Sequence, residues 1–283
     1  MKLHFTKMQA AGNDYVYIDC RAGGLPQRKE AAALAVRLSR RRFSVGGDGI
    51  ILIGPPLLAD GDAAMYIYNA DGSEGAMCGN GVRCVAEYLY THGVRRGCIQ
   101  IDTPQAGRKT LHRVAPQVWQ AGMGHFSARA EMFPAVGLGR GLLLGCPLTA
   151  AGKSFTVDCI HLGNPHCVVS CETLPTAAQL AVWGAAIEKH PAFPAGVNVE
   201  FVRVVSPGCL QACVWERGSG ATLACGTGAC AAAAAMALRG VCKRGTPIAV
   251  QLPGGTLTVG VGEDDTLTLT GPAETVFEGV VEV

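Results

Sequence analysis

Net charge is nearly absent: 24 Lys and Arg stand against 22 Asp and Glu, leaving +2 over the whole chain. A chain so balanced lacks the basic footprint of a nucleic-acid partner. Its clustered basic run, Arg40 to Arg42, reads as a solvated helix end. No stretch reaches the roughly 18 apolar residues of a membrane span, and the opening MKLHFTKMQAAGNDY has no secretory apolar core. A cytoplasmic protein is expected, with no membrane partner. There is no C-x₂-C pair, although Cys159, His161, His166 and Cys167 are crowded together. That crowding alone does not supply a tetrahedral zinc set. GxxxxGK[ST] is missing too, and no GxGxxG follows a strand, so a phosphate loop is not expected. Charged residues are only 16% against 49% hydrophobic, which excludes disorder.

What the chain does have is repetition. Its 283 residues suggest two domains. With Cys225 laid over Cys78, VWERGSGATLACGTG (Val214 to Gly228) aligns without a gap on IYNADGSEGAMCGNG (Ile67 to Gly81). Gly163-Asn164 likewise falls on Gly12-Asn13, Cys171 on Cys20, and GVNVEFV (Gly196 to Val202) on GDGIILI (Gly47 to Ile53). Further on, Ile248, Val250 and Pro253 meet Ile99, Ile101 and Pro104. Blocks recurring in one order at nearly constant spacing mark a duplicated domain. The 13 cysteines, an odd count in a chain this long, read as reduced thiols, mostly core fillers.

Each copy reads mainly as short β-branched or alternating strands bounded by Gly, Pro and Asp. In the first these are FTKMQAAGNDYVYIDC, IILI, MYIYNA and CIQIDTP; in the second FTVDCIHL, HCVVS, VEFVRVV, CVWERG and PIAVQLP. Helices are expected at Ala31 to Leu38 and Ala177 to Glu188, and at Val82 to Tyr90 and Ala229 to Leu238 just after each Cys-Gly-x-Gly. The latter pair is nearly all apolar or small, the second especially, and so is expected to be buried. The expected fold is mixed α/β: two pseudo-symmetric domains, each a curved, barrel-like sheet around a central helix. The first would take residues 1–120 with 272–283, its tail returning as a strand, and the second 121–271.

Cys78 and Cys225 each stand at a strand–turn–helix junction. There the unsatisfied N–H groups and the helix dipole favour a thiolate. Opposed across one cleft, two such thiols could remove a proton from a carbon and return one to its other face. The recurring polar residues Asn13, Asn69, Asn164, Asn198, Glu216 and Arg217 suit an amino-acid ligand, Arg forking a carboxylate and Glu taking an ammonium. Lys7 and Asp14 read as structural. The residues alone leave open a racemase for another substrate, such as proline, histidine or a propene-tricarboxylate, or a non-catalytic thiol- or metal-binding module.

The blocks FTKMQAAGNDYVYID, GGDGI, YNADGSEGAMCGNGVRC, LGNPHCVV and WERGSGATLACGTGACAA resemble the diaminopimelate epimerase family, in its order and over essentially the whole chain. The resemblance implies epimerisation of LL- to meso-2,6-diaminopimelate, for lysine and peptidoglycan synthesis, in a cleft between the domains. It implies no cofactor or metal, a small-molecule substrate, and allows a homodimer. By the resemblance Cys78 and Cys225 are the acid/base thiols. Asn69, Asn164, Asn198 and Arg217 hold the distal end of the substrate, and Asn13 and Glu216 lie near the reacting ammonium. Backbone N–H groups of Gly79, Asn80, Gly226 and Thr227 hold the reacting carboxylate. The chain departs at Gly49, where some members place a substrate-contacting Gln, at Ala221, where Glu is frequent, and at Ala10-Ala11, commonly Gly-Leu.

Overall fold

The computed structural model describes residues 2–283. Internal contacts divide the chain into two compact units, Met1–Gly122 with Thr270–Val283, and Met123–Leu269. The first unit opens with β1 (Lys2–Ala10) and β2 (Asn13–Asp19), then α1 (Arg28–Leu38), β3 (Gly49–Gly54) and β4 (Ala63–Asn69). Then come the short β5 (Glu74–Gly75), α2 (Gly79–Thr91), β6 (Cys98–Thr103), β7 (Gly107–Ala115) and β8 (Val118–His125). The second contains β9 (Cys146–Ala150), β10 (Lys153–His161), β11 (Pro165–Ser170), α3 (Ala177–Glu188), β12 (Asn198–Ser206) and β13 (Cys209–Glu216). It continues with β14 (Gly220–Thr222), α4 (Gly226–Leu238), β15 (Ile248–Leu252), β16 (Gly255–Val261) and β17 (Thr266–Pro272). The chain ends in β18 (Glu274–Glu282), antiparallel to β1 with Lys2 opposite Glu282.

The duplication is written into the pairing. In the first unit β1–β2 is antiparallel, β2–β3 parallel, β3–β4 antiparallel, β4–β6 parallel and β6–β7 antiparallel. The second unit repeats that series through β10, β11, β12, β13, β15 and β16. Register agrees as well: Tyr15 pairs Gly49 where His166 pairs Asn198, the residues that the repeat superposes.

The inner helices are buried on every side. Helix α4, GTGACAAAAAMAL, packs against β10, β11, β12, β13, β15 and β16, so the sheet curls around it. Such enclosure allows almost nothing larger than Ala and leaves no polar face. The outer helices cover the opposite faces: α1 seals Val16, Ile18, Ile50 and Leu52, and α3 lies over Phe155, Val199 and Phe201.

Three local expectations change. FTKMQAAGNDYVYIDC is a hairpin, not one strand: Ala11 and Gly12, both at positive φ, turn β1 into β2. Both inner helices start three residues earlier than propensity suggests, at Gly79 and Gly226, because the preceding cysteine caps them. In the basic run, Arg40 and Arg42 are exposed beyond α1, but Arg41 reaches back to form ion pairs with Asp14 and Asp48.

Candidate active site

Each inner helix begins with a thiol as its N-cap. Cys78 Sγ accepts the Gly81 N–H at 3.3 Å, and Cys225 Sγ accepts the Gly228 N–H at 3.3 Å. The first N–H groups of each helix, from Gly79 and Asn80 and from Gly226 and Thr227, have no intrahelical acceptor and point out of its end. A side chain at the third position of either helix would have to push aside the residue beneath it. A Cβ on Gly81 would lie 2.6 Å from Ile51 Cδ1, and one on Gly228 2.7 Å from Glu200 Oε1.

In the first unit Asn13, at the start of β2, accepts the Cys78 thiol through Oδ1 at 3.3 Å. Its amide nitrogen donates to Asp48 Oδ2 at 2.6 Å, and Asp48 is held in turn by Arg41. Beneath, Lys7 and Asp14 form an ion pair at 2.6 Å, and Lys7 also donates to the Gly46 carbonyl. Asn69 ends β4, Nδ2 donating to Ser73 Oγ at 3.0 Å. The Asn80 side chain turns inward, its Oδ1 accepting from the buried Arg83 at 2.8 Å, so only its backbone faces out.

In the second unit Glu216 stands next to Cys225 and accepts the Thr222 hydroxyl at 2.5 Å. Burial pushes the Glu216 carboxyl above the usual carboxylate range, against hydrogen bonds from Thr222 and Cys225. Burial also pushes the Cys225 thiol well up, reinforced by the Glu216 and Glu200 carboxyl groups and opposed by Thr227 and the Gly228 N–H. The expectation of a lowered thiol therefore reverses at Cys225: desolvation outweighs the helix end. Asn164 donates to Thr227 Oγ1 at 3.4 Å, and that oxygen lies 3.4 Å from Cys225 Sγ. Asn198 joins another pair, its Oδ1 taking the Arg217 N–H at 3.0 Å while Nδ2 donates to the Pro165 carbonyl. The exposed Arg217 guanidinium rests on the Ala195 carbonyl at 3.0 Å.

The sequence profile of the diaminopimelate epimerase family matches residues 5–125 and 159–276. The chain belongs to the diaminopimelate epimerase family. It is 43% identical over 284 residues to the diaminopimelate epimerase of Desulfitobacterium hafniense, covering 99% of this chain and 98% of that one. With the diaminopimelate epimerase of Acaryochloris marina it shares 40% over 290 residues, covering 100% and 99%. Among solved structures its fold is shared by a hydroxyproline epimerase from Agrobacterium vitis (TM-score 0.72, 18% identity, 99% of this chain and 92% of that one). A probable proline racemase from Agrobacterium radiobacter K84 is similar at TM-score 0.71 and 20% identity, with the same coverage.

Within this diaminopimelate epimerase family member, Gly49 has no room for a side chain. A Cβ there would lie 2.2 Å from the Tyr68 carbonyl and 2.8 Å from the Tyr15 ring. Of the crowded Cys159, His161, His166 and Cys167, the sheet sets His166 apart from the other three. Cys159 and Cys167 pair across β10 and β11 in the core under α3, whereas His166 pairs with Ile160 on the other face. Sequence reasoning passed over Asp48, Thr222, His166 and Glu200 as site residues. The signal for Glu200 is a lone charge inside the otherwise apolar, buried run VEFV.

Proposed function

We propose that the chain interconverts LL- and meso-2,6-diaminopimelate, with Cys78 and Cys225 as acid and base, each serving one face of the α-carbon. The observation that carries this reading is the matched pair of thiol-capped helix N-termini, each followed by two outward N–H groups. An α-proton is far less acidic than a thiol, so the carbanion must be stabilised where its charge develops. Outward N–H groups of Gly79, Asn80, Gly226 and Thr227 around the reacting carboxylate would do this as preorganised donors. Asn13 beside Cys78 and Glu216 beside Cys225 suit the reacting ammonium. Arg217, exposed and charged, suits the distal carboxylate, with Asn69, Asn164 and Asn198 completing the distal contacts. The reading calls for no cofactor.

A cytoplasmic location and a homodimer belong to the same proposal. Thirteen cysteines in a chain of 283 residues, an odd count that reads as reduced thiols, support the former, and sedimentation tests the latter. Incubation with LL-diaminopimelate in D₂O should yield the meso isomer with deuterium at one α-carbon. Cys78→Ala and Cys225→Ala should each abolish this, while the exposed Cys98→Ala should not. Near-parental turnover by either of the first two would defeat the two-base reading.

A further inference from the structure

Glu200 occupies the station on β12 that Ile51 occupies on β3. Both side chains fill the space beneath the third residue of an inner helix, within 3 Å of where a Cβ on Gly228 or Gly81 would stand. In the first unit a methyl group meets that need. In the second a carboxyl group is placed there at 0% exposure, which packing does not require and desolvation opposes. Its Oε1 lies 2.7 Å from Nδ1 of His166, itself fully buried. His166 Nε2 lies 3.0 Å from Asn164 Oδ1. Beyond Asn164 the chain of contacts runs through Thr227 Oγ1 to Cys225 Sγ. Glu200 Oε2 is buried with no hydrogen-bond partner among the described residues.

We propose that Glu200 is a positioning residue for the reaction: through His166 it fixes which way the Asn164 amide faces, and hence what Thr227 offers Cys225. This rests on the reading of Cys225 and Thr227 as site residues. An amide oxygen only accepts, so the Nε2 that faces Asn164 Oδ1 carries hydrogen. The Nδ1–Oε1 contact then holds one further proton, and whether it sits on nitrogen or oxygen the pair is neutral overall. Neutrality suits a pocket that offers Oε2 nothing, where a net charge would be costly. With Nε2–H in place, Asn164 turns its NH₂ to the Thr227 oxygen, and the Thr227 hydroxyl hydrogen is left for the Cys225 sulfur. Without Glu200 a neutral ring is free to carry its hydrogen on Nδ1 alone. Asn164 then turns over to donate to the bare Nε2, and its oxygen draws the Thr227 hydrogen away from sulfur.

Glu200→Ile, which installs the first unit's residue, and Glu200→Gln separate positioning from space-filling. A glutamine amide can donate to Nδ1 and leave Nε2–H in place, so Glu200→Gln should turn over LL-diaminopimelate within about threefold of the parent. Glu200→Ile should lose about tenfold or more in kcat, the effect of one mispaired buried group. In ¹⁵N-histidine-labelled parent protein, His166 Nε2 should give the signal of a hydrogen-bearing nitrogen, and in Glu200→Ile that signal should move toward a bare one. Equal turnover in both variants, whether high or low, overturns the proposal, as does a bare Nε2 in the parent. If Glu200→Ile does not fold, the parent's nitrogen signal and the Gln variant still decide. Cys225→Ala measured alongside identifies which reading has failed: if it retains turnover, the site assignment falls, and if it is inactive while Glu200→Ile matches the parent, only the positioning role falls.

Discussion

Burial holds the proton on Cys225, and the Glu216 carboxyl beside it strengthens the hold. Desolvation acts against the thiolate whatever its neighbours, whereas Glu216 acts through its negative charge and through the hydrogen bond it takes from the thiol, which a glutamine oxygen can still accept. Glu216→Gln removes that charge, so the Cys225 thiol should ionise at lower pH. Alkylation of Cys225 by iodoacetamide at rising alkaline pH, followed by peptide mass spectrometry, should show the thiol becoming reactive at lower pH in Glu216→Gln than in the parent. A midpoint of reactivity that stays or rises would mean that the Glu216 charge does not hold the proton on this thiol. Cys78 and Cys225 were legible in sequence because the repeat prints them twice, each with its Gly-x-Gly. Glu200 and Asp48 were not, because their partners His166 and Asn13 sit on neighbouring strands, and only pairing register brings them within hydrogen-bonding distance.

Strands and helices followed from alternation and capping, and their edges from backbone sterics that sequence shows less plainly. Gly79 and Gly226 look like helix breakers, yet they open helices because the sulfur of the preceding cysteine caps each helix and satisfies an orphan N–H. Ala11 hid the first hairpin for a related reason: alanine is an unusual residue for a two-residue turn. The hairpin between β9 and β10 repeats the device with Ala151 and Gly152, at φ 48° and 71°. Both central residues at positive φ make a type I′ turn, which Asn-Gly suits better than Ala-Gly. Holding alanine in the left-handed region costs about 1 kcal/mol, most of which asparagine avoids. Ala151 is exposed, so Ala151→Asn should gain about 0.5–1 kcal/mol. A rise in Tm of about 1–3 °C with unchanged turnover is the expected calorimetric result. A fall in Tm would show that the turn is not held by this preference.

Over the whole chain, thiols fill places where a curled sheet meets an enclosed helix or an outer one, and that choice ties stability to pH. Cys84, Cys159 and Cys167 are fully buried. Burial raises all three thiols, Cys84 to about 12, with Cys159 and Cys167 also held well above the ordinary thiol value. The unfolded chain releases these protons near the ordinary thiol value of 9.0. Above that pH the unfolded state binds fewer protons than the folded one, so raising pH favours unfolding, and below it the three thiols contribute no pH dependence. Each adds a slope of about 1.4 kcal/mol per pH unit, together about 4 kcal/mol, against a total stability of about 5–15 kcal/mol. Urea unfolding under a non-thiol reductant should therefore show a flat stability from pH 7 to 8.5 and a steep fall between 9.5 and 11. Cys167→Ala costs packing at every pH, but it also removes one titrating group. Its slope in the alkaline range should be shallower by about 1.4 kcal/mol per unit. A parent protein whose stability stayed level to pH 11, or a Cys167→Ala slope equal to the parent's, would show that the buried thiols ionise in the folded chain as readily as in the unfolded one.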